Sequence, residues 1–163
     1  MAEMQVAFYV GRARFYNRAV SWILYGPHSH AELILDEDDK EVGLLKCGGS
    51  SLMDSGVRIK WMKLNPAHWQ FVTVDADYVK ADKWFRDHRG EDHDLFGLLG
   101  CIWRRLIGKE TKWSSGAAIA AALGFPDPWR FDPMSLWAAL VAQANEDTRK
   151  KSNQSLFRTD NHG

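Results

Sequence analysis

The sequence predicts an α+β domain, and three observations predict it. An apolar set at helical spacing near the N-terminus ends at a Gly-Pro stop, the middle of the chain alternates apolar and polar residues, and after Asp75 the spacing turns helical. Taken in order, Gln5 to Tyr9 reads as a first strand. Arg14 to Tyr25 places Phe15, Ala19, Trp22 and Ile23 on one helical face, and Gly26-Pro27 stops that helix. His30 to Leu35 is a short apolar-rich strand, the acidic run Asp36 to Asp39 a turn, and Glu41 to Cys47 the return strand. Gly48-Gly49-Ser50-Ser51 reads as a loop. Val57, Ile59 and Trp61 alternate with Arg58 and Lys60 as a half-buried strand, and Trp69 to Val74 alternates likewise and is expected to pair nearby.

The second half reads as helices. Ala76 to Arg89 carries Tyr78, Val79, Ala81, Trp84 and Phe85 and ends before Gly90. Asp94 to Leu106 is a more apolar helix with Asp94 as its cap. Residues 115–123 form a helix of small residues stopped by Gly124 and Pro126. Asp132-Pro133 opens the last helix, with Asp at the N-cap and Pro at the first helical position, and it runs through Ala144. From Asn145 the chain turns polar and basic. The expected organisation is therefore one domain over residues 1–144 and a polar, flexible tail over 145–163.

Composition narrows the function classes. The chain has 163 residues, enough for one core that removes roughly 70% of the unfolded surface from water. Lys and Arg number 21 and Asp and Glu 21, so the balanced charge gives no electrostatic reason to expect nucleic acid. Two Cys, Cys47 and Cys101, make neither a disulfide scaffold nor a zinc pattern, and no metal or cofactor is implied. Met1 to Gln5 carries no basic segment ahead of an apolar one, and the longest apolar runs fall far short of the ~20 residues a bilayer requires. A cytoplasmic protein with no transmembrane segment is expected.

Two segments carry candidate chemistry. His30 and Glu32 stand two apart on a strand and share a face, where a carboxylate orients an imidazole and raises its basicity. Ser115 falls at the start of a helix, where unpaired N–H groups and the helix dipole favour a developing anion. A nucleophile on a helix start facing a His on a strand is the geometry of acyl-transfer enzymes.

These segments resemble the permuted papain-like proteins of the YebB-like kind, a group related to NlpC-type peptidases and lecithin:retinol acyltransferases. The resemblance rests on Ser29 to Leu33, on Ser50-Ser51, on Asp54 to Arg58, on Trp69, on Gly90 to Gly97 and on Lys112-Trp113 ahead of the Ala-rich helix. It covers about residues 5–140 and implies a circularly permuted papain-like fold with a small antiparallel sheet packed against helices. It further implies cleavage or transfer of an acyl group at a peptide, amide or ester bond. On that resemblance the residue at 115 is the nucleophile, His30 the base and Glu32 its orienting partner. Trp113 and His28 line the pocket, and the backbone at Gly116 and Ala117 supplies oxyanion donors. The family reads Trp-Phe-Cys-Ser-Glu where this chain reads Trp113-Ser114-Ser115-Gly116-Ala117. Three explanations stand open for Ser115: a Cys changed to Ser, a natural Ser nucleophile, or a catalytically dead binding module of phage origin.

Plainer roles stand beside these. Taken without the downstream helix, His30 reads as a core histidine. Glu32 also reads as a strand-surface carboxylate, and Ser115 also reads as an N-cap, a role compatible with the nucleophile position. Cys101 reads as core, and Cys47 is a rival nucleophile. His28, His30 and Glu32 together are thin evidence for a metal.

Overall fold

The computed structural model describes residues 2–11, 27–36, 43–92 and 113–159. Among the described residues it is a mixed α+β architecture: one five-stranded antiparallel sheet with three helices. The strands are β1 (Ala2–Tyr9), β2 (His30–Asp36), β3 (Leu45–Ser51), β4 (Gly56–Met62) and β5 (Trp69–Ala76), in the order β4-β3-β2-β1-β5. The helices are α1 (Tyr78–Asp87), α2 (Ser115–Ala122) and α3 (Pro133–Thr159), with short 3-10 turns at Leu52–Asp54 and Pro128–Arg130. Among the described residues no helix is long and apolar enough to cross a membrane. The helices expected over residues 14–25 and 94–106, with Cys101, lie outside the described residues.

Strand alternation sorts the side chains onto two faces. Met4, Val6 and Phe8 of β1, Ala31, Leu33 and Leu35 of β2, and Val72, Val74 and Ala76 of β5 share one face. That face is covered by Ala81 and Phe85 of α1, Ala118 and Ile119 of α2, and Leu136 and Leu140 of α3. The opposite face carries a smaller cluster of Ala7, Ile34, Cys47 and Leu64, flanked by Leu45, Met62 and Trp69.

The helix caps follow from local chemistry. Asp77 takes the Lys80 amide and starts α1 one residue after β5 ends, so Ala76 belongs to the strand and not to the helix. Asp132 accepts from the Ser135 amide at 2.8 Å while Ser135 Oγ accepts from the Asp132 amide at 2.9 Å, a reciprocal cap that fixes the start of α3 as expected. α3 does not end at Ala144 but continues to Thr159, because residues 145–159 contain no Gly or Pro to break it.

Two strand expectations are corrected. Gly48 to Ser51 is not a loop but the second half of β3, paired in register with β4 from Gly48↔Ile59 to Ser51↔Gly56. Close packing explains the glycines: a Cβ on Gly48 would lie 2.6 Å from the Phe85 ring, and one on Gly49 would lie 2.4 Å from Glu32 Oε2. β5 does not pair with its neighbour in sequence, β4; it pairs with β1 at the far edge, from Ala2↔Ala76 to Tyr9↔Trp69. The connection crosses the second face, where Leu64 packs with Ala7, Ile34 and Cys47. Seven residue steps reach roughly 24 Å when extended, enough for the four inter-strand spacings, about 19 Å, that separate the two edges.

Candidate functional site

β2 begins at His30 and sets His30 and Glu32 on the face opposite Ala31 and Leu33. The two are joined: His30 Nε2 and Glu32 Oε1 lie 2.6 Å apart. Glu32 is fully buried, whereas 22% of the His30 side chain is exposed. Trp69 stands edge-on to the imidazole at 6.3 Å.

Glu32 has a second and stronger partner. Arg58 on β4 donates Nη1 to Glu32 Oε2 at 2.7 Å and Nη2 to Glu32 Oε1, a two-nitrogen grip. Arg58 Nε donates to Asp54 Oδ2 at 3.0 Å, and Lys60 Nζ donates to Asp54 Oδ1 at 2.9 Å. The result is a chain His30–Glu32–Arg58–Asp54–Lys60 running from one partly exposed end to the other. Burial alone raises the Glu32 carboxyl, but the Arg58 hydrogen bonds, followed by the charge and hydrogen bond of His30, outweigh it and hold it down at about 2. Burial likewise opposes the Arg58 charge, and the bonds to Glu32 overturn that and hold the guanidinium protonated more firmly than usual. Arg58 is the residue that reading the sequence missed as a site member. Its signal was a lone Arg in an alternating strand, which reads by default as a solvent-facing position.

Position 115 lies on the other side of the sheet. α2 packs through Ala118 and Ile119 on the face that carries Ala31 and Leu33. Its N-cap is Ser114, not Ser115: Ser114 has an extended backbone (φ −72, ψ 164), and its Oγ accepts from the Ala117 amide at 3.2 Å. Ser115 is the first helical residue and is only 4% exposed. No hydrogen bond joins it to His30 among the described residues. The Ala117 amide, expected as an oxyanion donor, is taken by the cap. Gly116 is pressed against the chain before α3, where an added Cβ would lie 2.5 Å from the Asp132 carbonyl carbon.

The remaining expected site residues make contacts within the fold. Trp113 donates its indole N–H to Glu91 Oε2 at 2.5 Å, accepts from Ser50 Oγ at its carbonyl at 2.6 Å and stands edge-on to Trp84 at 5.0 Å. His28 lies on the opposite side of the sheet from His30. It is buried on the helix side, stacked on Trp137 at 4.7 Å, edge-on to Phe8 and within 2.8 Å of Gln70 Oε1 and 3.0 Å of Met134 Sδ. Its burial lowers its pKa, against the opposing effect of the Gln70 bond, and favours the neutral ring. Cys47 is buried, and burial pushes its thiol up to about 12, with the Glu32 charge adding to the effect, so it is no nucleophile near neutrality. No cluster of three or more His, Cys, Asp or Glu able to hold a metal occurs among the described residues.

Comparison of the chain with protein-family models, with curated proteins and with solved structures gives no match.

Proposed function

We propose that the chain is a papain-like module that binds a peptide or acyl ligand without turnover at position 115. One observation carries this reading: the imidazole and the position-115 hydroxyl are on opposite faces of the sheet. A Ser hydroxyl is a weak nucleophile at its ordinary acidity and needs an adjacent base to attack a carbonyl. His30 is committed through Nε2 to Glu32, and Ser115 begins a helix packed on the other face. The departure from Cys-Ser-Glu to Ser115-Gly116-Ala117 points the same way.

His30 is the contact this reading assigns to the ligand, with its Nδ1 atom left free of the Glu32 bond. The protein with p-nitrophenyl acetate is expected to show no burst and no acetyl group on Ser115 by mass spectrometry. An N-acetylated dipeptide amide is expected to shift the His30 ring resonances. An acetyl-Ser115 adduct that disappears in His30→Ala contradicts the reading.

A second reading has one observation in its favour. The 2.6 Å His30–Glu32 bond is the orientation a general base uses. An acyl-transfer reaction at His30 then uses a nucleophile other than Ser115, and ester hydrolysis lost in His30→Ala but kept in Ser115→Ala identifies it.

A further inference from the structure

We propose that Arg58 is a positioning residue: by gripping Glu32 with two nitrogens it sets the orientation and the charge that the His30 imidazole meets. This deepens the preceding reading and rests on its assignment of His30 as the ligand-facing group.

The geometry is specific to a guanidinium. All three Arg58 nitrogens are used, Nη1 and Nη2 on Glu32 and Nε on Asp54. Asp54 is itself held from the other side by Lys60, so the fork is anchored from behind by the turn between β3 and β4. A Lys ammonium supplies the charge but not the planar fork. Glu32 Oε1 is the shared atom, since it takes both His30 Nε2 and Arg58 Nη2. The imidazole therefore competes with a permanent cation for its carboxylate.

Among the described residues few other groups face His30. Tyr9 is its register partner on β1, and Trp69 stands edge-on from β5. Cys47 lies within the reach of the Glu32 and Arg58 charges and is itself a neutral thiol. Among the described residues the charge that acts on the ring is that of Glu32, offset by Arg58 and, behind it, by Asp54 with Lys60. Removing the guanidinium turns the whole carboxylate toward His30 and favours the imidazolium.

The test follows the His30 ring resonances of the isotope-labelled free protein from pH 5 to 9 in the unsubstituted protein, R58Q and R58K. R58Q is expected to raise the His30 titration midpoint by about one pH unit, a tenfold rise in proton affinity. R58K, which keeps the charge and loses the fork, is expected to raise it part of the way. In an E32Q background neither change at 58 is expected to move the midpoint, because the effect runs through Glu32. An arginine that merely supports the fold lowers the melting temperature and leaves the midpoint where it was, and that result overturns the proposal. If R58Q does not fold, R58K decides by the same criterion: a raised midpoint supports the proposal and an unmoved one overturns it. The readout uses no ligand. A dipeptide amide that leaves His30 unperturbed therefore contradicts the ligand role alone and leaves the Arg58 effect standing.

Discussion

The Glu32 carboxylate and the Arg58 guanidinium meet across an intervening strand, over a glycine that gives that strand no side chain on their face. Glu32 is on β2, Arg58 on β4, and Gly49 of β3 lies between them, where an added Cβ would stand 2.4 Å from Glu32 Oε2 and 2.8 Å from Arg58 Nη1. Each ion alone is costly to bury, and the grip with its Asp54 and His30 extensions satisfies both. The stability of the sheet, the glycine pair and the placement of His30 are thus one arrangement.

Acid is expected to destabilise the protein through Glu32. Its carboxyl is held at about 2 in the folded chain against an ordinary value of 4.5, so as pH falls the unfolded chain takes up the proton first. The stabilisation is complete above pH 4.5 and is lost as pH falls toward 2. It amounts to about 3 kcal/mol. Urea unfolding between pH 2 and 7 reads it. Glu32→Gln is expected to be less stable at pH 7 by about 3 kcal/mol, because it leaves the buried Arg58 with Asp54 alone as counter-charge, and to lose this part of the pH dependence.

Gly49→Ala is expected to destabilise by about 1–3 kcal/mol, since neither the carboxylate nor the guanidinium is free to move aside. Gly48→Ala meets the Phe85 ring at 2.6 Å and is expected to cost a similar amount through the helix-side core. Thermal melts of both variants check this, and a neutral Gly49→Ala means the ion pair does not lie over β3.

The cap assignment at α2 separates two adjacent serines. Ser114→Ala removes the acceptor of the Ala117 amide and is expected to cost about 0.5–2 kcal/mol. Ser115→Ala, whose hydroxyl makes no hydrogen bond among the described residues, is expected to change stability by less than about 0.5 kcal/mol. Denaturant midpoints of the two variants, measured side by side, distinguish them.

His28 gives a second pH dependence. Burial lowers its proton affinity in the folded chain below the ordinary value of 6.5. Folding stability from this group is complete above pH 6.5 and falls as pH drops below it, because the unfolded chain binds the proton more readily. The stacked partner is Trp137 of α3, so the protection of amides at the start of α3, taken relative to their intrinsic exchange rates, is expected to fall between pH 7 and 5, and to lose that dependence in His28→Phe.

Local signals in the sequence carried most of the framework. Asp132-Pro133 marked its helix start, the 57-to-61 alternation marked β4, and the two-residue spacing of His30 and Glu32 put them on one face, where they bond. The failures have physical causes. Gly48-Gly49 looked like a loop because glycine is the usual turn residue, and its other use, admitting a neighbour's side chain, depends on contacts with Glu32, Arg58 and Phe85 that are distant in sequence. Arg58 was passed over because a charged residue in an alternating strand normally faces water. The pairing of β5 with β1 and the separation of His30 from Ser115 depend on how the chain crosses the sheet, which no local pattern encodes.

The most direct test of the relation between His30 and position 115 is the alkylation rate of Ser115→Cys by iodoacetamide as a function of pH, with and without His30→Gln. In both backgrounds the thiol is expected to react at the same rate, no faster than an ordinary thiol at a helix start, and to follow a single thiol titration. A rate that plateaus below neutral pH in Ser115→Cys and collapses in the His30→Gln double variant would show a thiolate–imidazolium pair, and would contradict the placement of the two groups on opposite faces of the sheet.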